Sequence, residues 1–334
     1  MPWCSRLPLR RPLDSGFTLV EVLLTVTILL VMFVAVAQWL GTIERAWPAS
    51  AKDPFAAAQN AFDLLARQLA TATLAPYQDY ADTHGNFRDA SSSASFVPDH
   101  IARRSDLAFV CGPASTLLTS RTTSGCAVFF LAPNGYTQTY AHEGRLGVVN
   151  AMGYLVEFGP DADAPLFTTA SAPHWRLKQI LQPAESLQIF TTGTSADWLQ
   201  KLVPTGASLA TLADNVITFL VLPEREAGDN GATLAPTFSY DSRDTTNRLT
   251  LHQLPPRARI VLVAIDDISA TRLVAQNGAN PPALVDSRLF AQAAQFDADL
   301  AALDTSLTTR KIGHRIFQRE ISLTAASWSN AASP

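Results

Sequence analysis

Few residues in this chain stand at spacings that could do chemistry. Its six histidines are His84, His100, His142, His174, His252 and His314, and none pairs with another in an HExxH spacing. His142-Glu143 runs into Gly144 rather than a second ligand, and Cys111 and Cys126 have no CxxC partner. No GxSxG elbow, Walker A loop or GxGxxG occurs. The acids Asp79, Asp82 and Asp89 cluster with His84, but at irregular spacing. Asp266-Asp267 closes a strongly apolar run and could hold a cation. Adjacent strand residues face opposite ways, so a solvated turn is the simpler reading. The sequence therefore predicts no enzyme, no metal and no cofactor.

One carboxylate is harder to dismiss. From Phe17 to Ala37 all residues are apolar except Thr18, Thr25, Thr27 and Glu21. As a helix this run is about 31 Å long, enough to cross the hydrocarbon core of a bilayer. A lipid-facing carboxylate inside it would cost about 2 kcal/mol or more. Met1–Gly16 carries Arg6, Arg10 and Arg11 against Asp14, so a net +2 precedes the run. That asymmetry keeps the start cytoplasmic and exports the rest. An ordinary secretory signal, cut after Ala35-Val36-Ala37, would have a shorter apolar core. A plain anchor explains the length but neither Glu21 nor Gly16.

Gly16-Phe17-Thr18-Leu19-Val20-Glu21, behind its basic leader, resembles the prepilin cleavage and methylation motif of type IV pilins and type II secretion pseudopilins. The resemblance implies that a prepilin peptidase cuts between Gly16 and Phe17 and that the new amino terminus on Phe17 is methylated. Glycine before the scissile bond lets an extended backbone enter a cleft without side-chain clash. Glu21 would then pair with the amine of a neighbouring subunit, so that two groups costly in lipid neutralise each other. Thr18, Glu21 and Thr25 form a polar stripe suited to packing against other helices. The partners implied are the peptidase, other pilin or pseudopilin subunits and the membrane. Localisation would be the cytoplasmic membrane, single-pass, with the C-terminal part exported and in a filament.

The whole chain of 334 residues has a net charge of −4 and a pI near 5.9, which gives no sign of a nucleic-acid partner. At 47% hydrophobic and 16% charged it is a foldable chain. Lys52 to Leu74 reads as an amphipathic helix with Phe55, Phe62, Leu65 and Leu69 on one stripe. By the pilin resemblance, residues 17–75 form one helical spine, membrane-spanning over 17–37 and bent near Pro48. Residues 76–105 read as a loop. From 106 to 334 short apolar runs at 107–111, 127–132, 147–159, 175–181, 216–222, 258–267 and 314–323 predict antiparallel strands. Leu284–Leu307 predicts a helix. The stretches 184–212 and 224–248 read as insertions.

Cys111 and Cys126 flank predicted strands that a hairpin could align. A disulfide in an oxidising compartment is one reading and two buried small hydrophobes the other. The fold expected is α+β: a long N-terminal helix packed on an antiparallel sheet, pilin-like, with large insertions. Leu212-Ala213-Asp214-Asn215-Val216 followed by Phe219, and Leu254-Pro255-Pro256-Arg257-Ala258-Arg259-Ile260, resemble phrases of J-type minor pseudopilins. Together with RIFQREISLTAASW at 315–328 they are also similar to the prepilin-like Verru_Chthon cassette proteins, type C. These resemblances imply a minor pilin or pseudopilin subunit of a type IV pilus-like or type II secretion-like filament. A membrane-anchored cell-envelope binding module is the alternative.

Overall fold

The computed structural model describes residues 19–46, 53–88, 95–139, 144, 147–160, 173–204, 206, 209–225 and 233–329. Two compact units divide the chain, Met1–Asp53 and Pro54–Pro334. In the first, α1 runs from Leu19 to Ala46.

In the second, α2 (Ala56–Ala70) leads to β1 (Tyr77–Ala81), β2 (His100–Arg104), β3 (Phe109–Pro113), α3 (Ala114–Leu117) and β4 (Thr123–Ala132). Next come β5 (Asn150–Gly159), β6 (His174–Gln182), α4 (Ser195–Leu202), β7 (Ala210–Asp214) and β8 (Val216–Glu224). The chain closes with β9 (Tyr240–Asp241), β10 (Arg257–Ile265), α5 (Asp267–Asn277), α6 (Phe296–Thr309) and β11 (His314–Ser322). All strand pairs are antiparallel, in sheets ordered β1-β2, β11-β10-β8 and β7-β6-β5-β4-β3-β9. The α+β class with antiparallel sheets is as the sequence predicts.

β10 shows why IVLVAI at 260–265 reads as an unbroken apolar run. Ala258, Ile260, Leu262 and Ala264 enter one core, while Val261, Val263 and Ile265 enter another on the opposite face. The first core includes Phe62, Leu65 and Leu69 of α2. The second includes Leu273 of α5 and Phe296, Leu303 and Leu307 of α6. Edge strand β11 takes its place against α2. Phe317 stacks near Phe62 with ring centroids 5.8 Å apart, and Arg319 reaches Asp63 at 2.6 Å.

α2 is amphipathic in the expected way, with Phe55, Phe62, Leu65 and Leu69 all buried. A polar contact also fixes its register. The Tyr154 hydroxyl of β5 donates to Gln68 Oε1 and accepts from Gln179 Nε2 of β6 at 3.0 Å. α2 shares the core of the sheets and lies in the second compact unit. The expected bend at Pro48 lies outside the described residues.

Several other expectations are corrected. Part of the expected loop 76–105 is sheet: β1 and β2 pair from Tyr77 opposite Arg104 to Ala81 opposite His100. The pairing carries mostly polar side chains, including the Asp79–Arg104 ion pair at 2.7 Å, so no apolar alternation announces it. The stretch 184–212, read as an insertion, contributes to the first core. Thr194 Oγ1 caps α4 by accepting from the Asp197 amide, and Trp198, Leu199 and Leu202 are buried in the first core. Within 224–248, residues 226–232 lie outside the described residues. The remainder buries Leu234, Ala235, Phe238 and Tyr240.

The helix expected over 284–307 begins only at Phe296. Phe290 adopts φ +59 and its amide donates to buried Asp299 Oδ2 at 2.8 Å, so the chain turns ahead of the helix. There the rings of Phe238, Phe290 and Phe296 meet at centroid distances of 6.1–6.4 Å. The apolar positions read as helical spacing are in part this aromatic cluster.

Candidate functional site

The N-terminal segment is the candidate with a chemical rationale. α1 is an unbroken 28-residue helix, about 42 Å long at 1.5 Å per residue. Its side chains are described at Leu19, Val20 and Val22–Phe33, and every one of them is exposed. Leu19, Leu29, Val31 and Phe33 are 68–82% exposed. A helix that is apolar on all sides is not covering a core of its own; it needs an apolar surrounding from outside. Among the described residues no helix is long and apolar enough to cross a membrane. The expected span at 17–37 extends beyond the described side chains at both ends.

Two threonines of the helix bond to its own backbone. Thr25 Oγ1 donates to the Val22 carbonyl at 2.9 Å, and Thr27 Oγ1 to the Leu23 and Leu24 carbonyls at 3.0 and 2.8 Å. Hydroxyls satisfied by their own helix can face lipid or another helix at little cost. Glu21 is placed by its backbone inside α1. Gly16, Phe17 and Thr18 lie outside the described residues.

The other residues singled out in the sequence serve the fold. Asp266 is the N-cap of α5, its Oδ1 accepting from the Ser269 amide at 2.7 Å. Asp267 Oδ1 accepts from Asn215 Nδ2 at 2.7 Å. Asn215 holds φ +59 at the corner between β7 and β8, where the chain passes from one sheet to the other. The phrase Leu212–Val216 is thus a tight inter-sheet corner, with α5 buttressing it. Neither acid points to a cation, and among the described residues no group of three or more His, Cys, Asp or Glu could hold a metal. Asp79 pairs with Arg104, and Asp82 accepts the His84 and Asn86 amides at 2.8 Å as a loop cap. Asp89 and His142 lie outside the described residues.

The Cys111–Cys126 disulfide is not formed. Both thiols are free and buried. The register sets Cys111 opposite Val128 and Cys126 opposite Pro113, which makes the cysteines diagonal neighbours. Diagonal positions lie about 7–8 Å apart, beyond the usual reach of a disulfide. Burial pushes both thiols up, Cys126 to about 11, so they are poor nucleophiles in place.

What the sequence does not disclose is how the buried charges meet. His252, at φ +56, is pushed down to about 4 by burial and then by the guanidinium groups of Arg103, Arg104 and Arg243. Its ring lies edge-on to Phe87 at 5.8 Å, and Arg104 sits over the same Phe87 ring at 5.0 Å. These residues come from strand, loop and turn segments up to 165 positions apart, and no local spacing could have linked them.

Comparison with known proteins bears on the N-terminal segment. Residues 11–37 match the family model for the prokaryotic N-terminal methylation motif. That match spans the basic residues Arg11, the Gly16-Phe17 bond, Glu21 and the apolar run. No curated protein matches the chain. Among solved structures, a type IV-like pilin from Thermus thermophilus overlaps 81% of this chain and 97% of its own at 12% identity, with a TM-score of 0.31. That score is too low to say anything of the fold. The chain thus carries a prepilin-type N-terminal motif, and the resemblance on Gly16–Glu21 stands on a family model as well as on the residues themselves.

Proposed function

We propose that this protein is a pilin-like structural subunit, a minor pilin or pseudopilin of a type IV pilus-like or type II secretion-like filament. The observation that carries the reading is the match of residues 11–37 to the N-terminal methylation motif, continuous with an α1 whose described apolar side chains are all exposed. A prepilin peptidase cuts after Gly16 and Phe17 becomes the methylated amino terminus. Before assembly the helix from Phe17 holds the subunit in the cytoplasmic membrane, with the Pro54–Pro334 unit on the exported side. After assembly it packs among the helices of neighbouring subunits, where Glu21 neutralises a neighbour's amine. The work of assembly comes from outside the chain, which needs no catalysis of its own. Membership of the J-type or Verru_Chthon group rests on the quoted phrases.

Mass spectrometry of the mature protein tests the processing step. A methylated Phe17 terminus is expected, and any other amino terminus sinks the claim. The second reading, an anchored binding module, is favoured by the size of the folded unit and separates by Glu21→Ala. A filament subunit loses incorporation by tenfold or more, whereas a lone anchored receptor stays at its normal level in the membrane and keeps its function.

A further inference from the structure

Where the end of α6 meets α5, a cavity of about 480 Å³ is lined by Arg272, Gln276 and Asn277 of α5, Ala283 of the loop that follows, and Arg310 and Ile312 beyond α6. All three segments lie within 233–329, which is described without a gap. Both arginines are held by backbone carbonyls. Arg272 Nη2 donates to the Lys311 carbonyl at 2.8 Å and to the Arg310 carbonyl at 3.4 Å, and Arg310 Nη1 donates to the Ala283 carbonyl at 2.8 Å. Other arginines of the unit pair with carboxylates, as Arg104 does with Asp79, Arg259 with Glu224 and Arg319 with Asp63. Among the described residues neither Arg272 nor Arg310 has an acidic partner.

The six carboxylates between 266 and 312 are all engaged elsewhere. Asp266, Asp286 and Asp299 accept the amides of Ser269, Arg288 and Phe290. Asp267 accepts from Asn215, and Asp297 and Asp304 meet Arg259 and His314. Carbonyls at the two helix ends, which would repel an anion, are taken as well. In α5 the Asn277 amide side chain donates to Leu273 and the Gly278 amide to Val274. At the end of α6 the amides of Arg310, Lys311 and Ile312 take the carbonyls of Ser306, Thr308 and Leu307. Each guanidinium spends one Nη on its carbonyl bonds, so the Nε and the other Nη of both are left over. Two like charges therefore share a wall with no carboxylate among the described lining residues, a repulsion that a bound anion relieves.

We infer that this cavity binds a small phosphate monoester, held by the guanidinium groups of Arg272 and Arg310. Such a group carries about two negative charges and three acceptor oxygens, which match two cations with several unspent N–H donors. Guanidinium forks bond phosphate oxygens in pairs, and the carbonyl bonds already hold these two forks in place. Leu273, Leu284 and Ile312 supply apolar wall for the carbon body of an ester, which inorganic phosphate does not use. The site lies wholly within the Pro54–Pro334 unit and is independent of filament assembly.

The test uses the full chain in micelles of an uncharged detergent, at about pH 7.5 so that the ester is a dianion. Phosphorus NMR titration measures phenyl phosphate and inorganic phosphate, and succinate is added as a competing dianion. Two variants accompany the wild type. Arg310→Gln removes one guanidinium. Gln276→Glu sets a carboxylate of nearly the same shape on an exposed wall position one helical turn from Arg272, and leaves both guanidinium–carbonyl bonds in place. Phenyl phosphate is expected to bind saturably, at least fivefold more tightly than inorganic phosphate or succinate, and to weaken at least fivefold in each variant. Should Arg310→Gln fail to fold, Gln276→Glu alone decides. No saturable binding, a smaller preference over either competitor, or a smaller loss in a folded variant overturns the proposal.

Discussion

Two helices of this chain are built from similar residues and use them in opposite ways. In α2 the apolar residues Phe62, Leu65 and Leu69 fall on one stripe, with Gln59, Asn60, Asp63 and Arg67 around the rest, and the stripe is buried in the first core. In α1 the apolar residues run around the whole circumference, and each described one is exposed. Both are helices for the same reason, since neither stretch has a proline to break the ladder. The difference lies in where the apolar surface is satisfied. α2 is satisfied by its own unit, whereas the described apolar side chains of α1 are left exposed.

The same substitution in each helix tests that contrast most strongly. Leu65 is fully buried, so Leu65→Ala is expected to cost about 2–5 kcal/mol in urea unfolding of the full chain in micelles. Leu29 is 69% exposed, and Leu29→Ala is expected to leave that transition within about 0.5 kcal/mol. Equal losses would mean that α1 contributes to the core of the second unit.

A smaller effect is expected where the six-stranded sheet approaches the three-stranded one. Gly125 holds φ +68 beside the irregular register between β4 and β5, and a Cβ there would lie 2.3 Å from the Phe219 carbonyl oxygen of β8. Gly125→Ala combines backbone strain with a contact that only backbone movement relieves, and should cost about 2 kcal/mol or more. Gly278 has a similar φ of +59 with nothing within 4 Å of the added methyl. Gly278→Ala therefore reports strain alone, about 1 kcal/mol. If the two losses coincide in thermal or urea unfolding, the close approach of the sheets is not what requires glycine at 125.

Proton uptake should likewise discriminate, because Val22–Phe33 carries no ionisable side chain while the second unit holds His252. Burial and three neighbouring guanidinium groups keep His252 neutral in the fold down to about pH 4, whereas an unfolded histidine protonates near 6.5. Between those values the unfolded state binds more protons, so His252 contributes stability that is present above pH 6.5 and lost as pH falls towards 4. The loss should be about 1–2 kcal/mol after allowing for partial solvent screening. His252→Asn suits the left-handed backbone at this site, and its unfolding free energy should fall less over that window than the wild type's. An identical pH profile would place the acid sensitivity elsewhere, for example on the carboxylates.

How much of this was legible depended on whether a feature is local. The Gly16–Glu21 motif, the apolar run and the long strands β8 and β10 are written in consecutive residues, and periodicity or its absence reveals them. α5 was also written locally, with Asp266 as cap and Gly278, whose amide donates to the Val274 carbonyl, as stop. It was hidden because Asp266-Asp267 ends a strand and reads as a turn. β1 and β2 were not legible, since their pairing is made of polar residues that alternate with nothing apolar. The stretch 184–212 resembled an insertion because its one strongly buried aromatic, Trp198, stands in a short polar helix.

The smallest expected effect bears on the motif helix itself. With Thr18 and Glu21, Thr25 lies on the polar stripe that suits packing against other helices. In the structure its hydroxyl already donates to the Val22 carbonyl one turn earlier. Valine has nearly the same shape, and it leaves the backbone hydrogen bonds of the helix intact. Thr25→Val should therefore change association of the chain in micelles, measured by energy transfer between labelled copies, by less than about twofold, or 0.4 kcal/mol. Glu21→Ala in the same assay removes a charge with no such internal substitute and should have the larger effect. A tenfold loss from Thr25→Val would show that the hydroxyl leaves its own helix on assembly. The outward-facing surface of α1 would then be specific at Thr25 rather than merely apolar.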